Sequence, residues 1–179
     1  KSAMRLARRK LAVIGKLRER VAQLESDIAA DRERFRDMAM EYTSLGDDCR
    51  IDEMPLPAIA NYDKALALLP GHIPALYGRA LAAITLEDYS RALDDLGEVV
   101  RLDPANFDAM VRMGMTYYRM DDVHNAMDRC LVALSLSETA DCPRQALHGL
   151  HSLLADIYDT AGDKSSAHHH REIARRLRK

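Results

Sequence analysis

Three alanines constrain this chain more than any other feature: Ala58, Ala92 and Ala126 recur at a constant interval of 34 residues, each inside a similar apolar pattern. A fixed period of about 34 residues is the mark of stacked helix pairs, in which each unit buries its apolar face against its neighbours. The chain is therefore expected to be all-α, with its function on a surface rather than in a catalytic cleft.

The repeated text is detailed. From Pro74 the chain carries Leu76, Ala80, Ala83 and Ile84 at helical spacing, breaks at Glu87 and Asp88, then continues with Tyr89, Ala92, Leu96, Val99 and Leu102 up to Asp103 and Pro104. The next unit reads Met110, Met113, Gly114 and Tyr117, breaks at Asp121 and Asp122, and resumes with Ala126, Cys130, Ala133 and Leu136. Small residues such as Ala80, Gly114 and Ala92 fit where two helix axes approach closely. Pro104 closes a pair because it lacks a backbone donor and disfavours helix in the residue before it.

These two units resemble the tetratricopeptide repeat family. The resemblance implies a right-handed α-solenoid of helix hairpins. Upstream, Phe35, Met38, Ala39 and Tyr42 resemble the first helix of a repeat, and Ala58, Tyr62, Ala65, Leu68 and Pro70 the second. On that alignment Gly46 to Pro57 is about seven residues longer than a tight turn, which predicts a protruding loop. Downstream, Leu154, Ala155, Tyr158, Gly162, Asp163, Ala167 and Ala174 fit a fourth unit, whose alanine arrives late and places extra residues around Ser137 to Gln145. The expected division is a leading helix at 1–31 and a repeat domain at 32–179, with units near 32–70, 73–106, 107–138 and 148–179.

The leading segment has another pattern. Ile14, Leu17, Val21, Leu24 and Ile28 follow one another at spacings of 3, 4, 3 and 4, the seam of a coiled coil. Phe35 lies seven beyond Ile28, which would carry the seam into the packing face of the first repeat helix. Neither glycine nor proline interrupts Lys16 to Leu45, so one helix could run through; Ser26 or Asp27 could instead cap a fresh one. With only two to three heptads, a homodimer, a mixed coil with another protein and packing back on the repeats all remain open.

Composition restricts the function classes. The 179 residues are 47% hydrophobic and 30% charged, as in a modest helical domain, and no apolar run approaches the length of a membrane span. The first residue is Lys1, which suggests a fragment. Cys49, Cys130 and Cys142 form an odd, unpatterned set, as expected for reduced thiols in the cytoplasm or another reducing compartment. The net charge is only −2, yet residues 1–30 and 164–179 each carry +5, leaving −12 on the body between. An acidic body neutralises phosphates poorly, so nucleic acid is not the ligand expected in the groove.

Catalytic and metal signatures are lacking: there is no phosphate-binding glycine loop, no paired-cysteine motif and no metalloprotease helix motif. His168, His169 and His170 are consecutive on a helix and point about 100° apart, while His148 and His151 share a face without further ligands. Both groups read as surface or packing residues, as do Asp156 and Asp159. No cofactor or metal is expected, and the chain reads as a non-enzyme.

What remains is recognition of another protein. The resemblance implies that the first helix of each pair lines a concave groove for a peptide or helix. In co-chaperones of this family a two-carboxylate clamp of Lys, Asn and Arg side chains grips the acidic C-terminus of a heat-shock protein. Carried over residue by residue, its positions fall on Arg36, Met40, Gly78, Asp108 and Arg112; only the two arginines suit a carboxylate. The groove is expected to present Met40, then Tyr77, Leu81 and Ile84, then Val111, Met115 and Tyr118, with Arg36, Arg112 and Arg119 around them. Such a lining suits an amphipathic helix better than a strongly acidic tail. The competing class is a structural subunit built permanently into a ciliary, organellar or ribonucleoprotein assembly.

Overall fold

The chain folds into eight helices in a computed structural model that describes residues 2–138 and 142–178. They are α1 (Ser2–Ile51), α2 (Pro55–Leu68), α3 (Ile73–Thr85), α4 (Tyr89–Leu102), α5 (Phe107–Arg119), α6 (Val123–Ser137), α7 (Arg144–Thr160) and α8 (Lys164–Leu177). Each odd-numbered helix packs on the next as a hairpin, and each hairpin stacks on its neighbour through α2–α3, α4–α5 and α6–α7. The architecture is thus all-α, as the alanine period predicts. Ala58, Ala92, Ala126 and Ala167 are all fully buried at the helix crossings.

The turns within the hairpins share one backbone design. Glu53, Glu87, Asp121 and Gly162 each adopt positive φ, and the next residue donates its N–H to the carbonyl five residues back: Met54 to Cys49, Asp88 to Ala83, Asp122 to Tyr117 and Asp163 to Tyr158. This is the Schellman closure, which satisfies carbonyls orphaned at a helix end. Asp88, Asp122 and Asp163 then cap the following helix through the N–H of Arg91, Asn125 and Ser166. Met54 does not, and a carboxylate there would gain little: the third residue of α2 is Pro57, which has no N–H to donate.

The first hairpin corrects the expectation of a protruding loop. Helix α1 continues to Ile51 and the chain re-enters helix at Pro55, so the residues expected to loop out are mostly helical. Gly46, Ala80 and Gly114 are buried at intervals of 34, each 12 residues before its hairpin's alanine, so Gly46 is the counterpart of Ala80. The alignment on Ala39 and Tyr42 was two turns early, because a heptad step along one helix face reproduces the same apolar pattern. Phe35 and Met38 are correspondingly exposed, and among the described side chains of α1 the first buried one is Ala39. In the fourth unit the longer interval is real. Part of it extends α7 to 17 residues against 13 in α3 and α5; residues 139–141 lie outside the described residues.

Helix α1 is unbroken over 50 residues, about 75 Å at roughly 1.5 Å per residue. Neither Ser26 nor Asp27 starts a new helix. Among the described residues it packs through its C-terminal end, on α2 and α3, and residues 16–38 are exposed throughout.

Close packing at that end centres on Tyr62 of α2. Its fully buried ring lies between Gly46 and Gly78, where an added Cβ would meet the ring at 2.6 Å and 2.5 Å. The Tyr62 hydroxyl donates to the Asp47 carboxylate at 2.8 Å; burial, reinforced by that acceptor, raises its pKa well above the ordinary tyrosine range. Gly97 in α4 has open space around it. One substitution should therefore act in opposite directions: Gly97→Ala stabilises by about 0.5–1 kcal/mol through helix propensity, and Gly78→Ala destabilises by about 1–3 kcal/mol through overpacking. Urea unfolding of the two variants checks this, and equal shifts would refute the wedge.

Candidate functional site

Beyond their hairpin partners α1 packs on α3 and α5 on α7, so the C-terminal turns of α1 share one face with α3, α5 and α7. A cavity of about 590 Å³ lies where the first three meet, lined by Leu81, Ile84, Thr85, Arg112 and Arg119 together with Arg50, Glu53 and Pro55 at the α1–α2 corner. A second, of about 440 Å³, opens between α5 and the start of α7, lined by Phe107, Asp108, Val111, Arg112, Met115, Pro143, Gln145, Ala146 and Gly149. Arg112 borders both. Its Nε donates to the Tyr77 hydroxyl at 3.4 Å.

The first cavity combines an aliphatic wall with three guanidinium groups. Arg112 and Arg119 are exposed and form no ion pair among the described residues; Arg50 lies 3.6 Å from Asp47. Glu53 is the one acid at the rim. The site can therefore take a carboxylate beside apolar side chains.

Leu81, Ile84, Arg112 and Arg119 come together in the first cavity, and Val111 and Met115 line the second. Tyr77 is half-buried against the core, and Tyr118 packs on the buried side chains of α5, α6 and α7 with its hydroxyl 3.1 Å from Thr160 Oγ1, so both mainly join helices. Arg36 and Met40 line neither cavity: Arg36 pairs with Glu33 at 3.3 Å on the exposed face of α1, and Met40 is 55% exposed. Counting back 34 residues from Tyr77 and Leu81 reaches Thr43 and Asp47, so those two occupy the places given above to Arg36 and Met40. Thr43 is buried and bonds to the Ala39 carbonyl, and Asp47 receives the Tyr62 hydroxyl. Of the carboxylate-clamp positions, only Arg112 then holds a cation. Sequence reasoning missed Arg50, which the same count back from Ile84 would have found.

No group of three or more metal-ligating side chains exists among the described residues. Four histidines of the last hairpin, His148, His151, His169 and His170, make contacts within it, and His168 is exposed. His151 and His170 are both buried, with Nδ1 atoms 2.9 Å apart, so one ring donates Nδ1–H and the other accepts. Tyr158 stacks on His170 with ring centroids 5.4 Å apart, His169 meets it edge-on, and His148 Nδ1 donates to the Ala174 carbonyl at 3.0 Å. Asp159 pairs with Lys164 and Arg171 at 2.6 and 2.7 Å; those bonds hold its pKa below the usual carboxylate range. Cys130 is buried against Gly114, and desolvation pushes its thiol up to about 12.

Burial, followed by neighbouring histidine charge, lowers the pKa of both His151 and His170. The unfolded chain then takes up protons first as the pH falls. The native state keeps its full stability above the unfolded histidine pKa of about 6.5 and loses it progressively below. The melting temperature should fall between about pH 7 and pH 5, above the carboxylate range. His170→Phe, which keeps a ring over Tyr158 but binds no proton, should flatten that slope. An unchanged slope would exclude the pair as its source.

Comparison with known proteins agrees with this geometry. The family description "Tetratricopeptide repeat" matches residues 73–106. Mouse (Mus musculus) sperm-associated antigen 1 is 32% identical over 90 residues, 50% of this chain and 10% of that protein. The chain spans about a tenth of the length of the curated relatives it matches. Among solved structures, MamA 41-end from Desulfovibrio magneticus RS-1 superposes with a TM-score of 0.69 at 21% identity, covering 78% of this chain and 75% of that one. The first TPR of Spaghetti (RPAP3), bound to the HSP90 peptide SRMEEVD, superposes with a TM-score of 0.63 at 18% identity, covering 71% and 95%. A tetratricopeptide repeat thus sits at the centre of the chain, and hairpins of the same turn design flank it on both sides.

Proposed function

We propose that the chain is a non-catalytic protein-interaction module whose concave face receives an amphipathic helix of acidic and aliphatic character, while the projecting part of α1 contacts another chain. The observation that carries this reading is the first cavity, where Leu81 and Ile84 stand beside Arg50, Arg112 and Arg119. An aliphatic anchor would fill the space between α3 and α5, and an adjacent Asp or Glu would meet Arg112 or Arg119. Met115 in the second cavity is unbranched and adapts to more than one anchor shape.

The RPAP3 domain was solved bound to the HSP90 peptide SRMEEVD. Here the clamp positions hold Thr43, Asp47, Gly78, Asp108 and Arg112, a set with two acids and one cation. Repulsion of a carboxylate terminus by Asp47 and Asp108 argues against that ligand class. A permanent place in a larger assembly is a second reading, supported by the apolar stripe on α1, where Leu17 is 59% and Val21 53% exposed.

Selection of displayed peptides on the immobilised chain tests the groove. The expected winners carry aliphatic residues at helical spacing with Asp or Glu beside them, and Leu81→Asp and Arg112→Glu should each weaken them by at least about tenfold, or about 1.4 kcal/mol. The SRMEEVD peptide should not compete. Winners that bind both variants as well as the parent, or saturable binding of SRMEEVD, would overturn the reading.

A further inference from the structure

The projecting part of α1 carries information about which chain covers it. On the seam, Ile14, Val21 and Ile28 occupy the a positions of successive heptads and Leu17 and Leu24 the d positions; all five are 44–59% exposed. β-Branched residues at a with leucine at d favour two parallel strands. The flanking positions carry charges of alternating sign: Arg20 and Asp27 at g, Glu25 and Arg32 at e. In a parallel pair each g residue faces the e residue five positions later on the other helix. A second copy in register would set Arg20 against Glu25 and Asp27 against Arg32, each twice by symmetry. Among the described residues Arg20, Glu25 and Arg32 form no ion pair within the chain, and Asp27 only accepts a hydrogen bond from Gln23 at 2.8 Å.

We propose that the arm is a self-association element: two copies pair their α1 helices as a parallel, in-register two-stranded coil over residues 14–28. This rests on the reading of the arm as a contact for another chain and names that chain as a second copy. Charged residues bracket the coil, because Lys10 and Asp31 fall at d positions on either side. Asp31 is held by Arg34 of its own helix at 3.0 Å and ends the seam where the repeat bodies must part.

Antiparallel pairing fits less well. Setting Ile14 against Leu24 of the other copy places Arg20 beside Arg20. Shifting by one heptad brings Arg20 to Asp27 and Arg18 to Glu25, but it buries Ile14 against Asp31.

Sedimentation equilibrium of the full chain from micromolar to submillimolar concentration tests the proposal. The parent should dimerise, Leu17→Asp should abolish the dimer, Glu25→Arg should weaken association about tenfold, and Asp31→Leu should tighten it. The double swap Arg20→Glu with Glu25→Arg decides orientation. It restores the parallel dimer, whereas in the shifted antiparallel pair it sets the introduced glutamate against Asp27 and the introduced arginine against Arg18. Because residues 16–38 do not pack on the repeats, every variant should keep the parent's repeat unfolding transition. A chain monomeric throughout, Asp31→Leu included, would overturn the proposal, as would further weakening by the double swap. A monomer that recovers a different protein through Leu17 and Val21 would overturn self-pairing and leave the arm's contact role standing. A dimer indifferent to Leu17→Asp would overturn both.

Discussion

The Tyr62 wedge governs how the first two hairpins meet. An aromatic ring can be buried between α1 and α3 only if both helices present a hydrogen instead of a side chain, and Gly46 and Gly78 supply it. A buried phenol also needs a hydrogen-bond partner, and Asp47, one residue beyond Gly46, accepts the bond from its hydroxyl. That requirement fixes the rotation of α1 about its axis. It thereby brings Arg50 to the first cavity and leaves Arg36 and Met40 outside it. Gly114 and Cys130 meet in the third hairpin in the same manner, with a smaller side chain and no polar tether.

A second tie is ionic. Arg79 of α3 forms a two-pronged bond with the buried Asp95 of α4, through Nε at 2.8 Å and Nη2 at 2.6 Å, and its remaining nitrogen reaches Asp63 of α2. Arg91 meets the same Asp63 at 3.0 Å. The corresponding residue one unit on is Met113, buried and apolar. Burying an ion pair recovers little net energy over a well-packed apolar contact, but removing one member leaves an uncompensated charge. Such a network favours one docking of α2 against α3 and α4 over neighbouring slips.

The repeat architecture was legible because the period, the small residues at crossings and the acidic breaks at Glu87–Asp88 and Asp121–Asp122 all point the same way. The central cavity residues Leu81, Ile84, Arg112 and Arg119 were legible for the same reason, since they sit in the two units whose text repeats most fully. The first unit was misaligned by seven residues. Leucine-like patterns on a long helix repeat every heptad, so Phe35 and Ala39 mimic the face that Tyr42 and Gly46 actually present. Only the interval between paired small residues, Gly46 with Ala58 as Ala80 with Ala92, resolves the ambiguity. The histidine pair was hidden differently: His151 and His170 are 19 residues apart, and their contact depends on how α8 folds back on α7.

The unbroken course of α1 joins the arm and the groove in one rod. The apolar seam at Val21 and the groove residue Arg50 are separated only by continuous helix, so the angular phase between them is set by residue count at about 100° per residue. Whatever grips the arm therefore also aims the concave face. One residue added between them would turn the repeat body by more than a quarter revolution without altering a single contact inside either part.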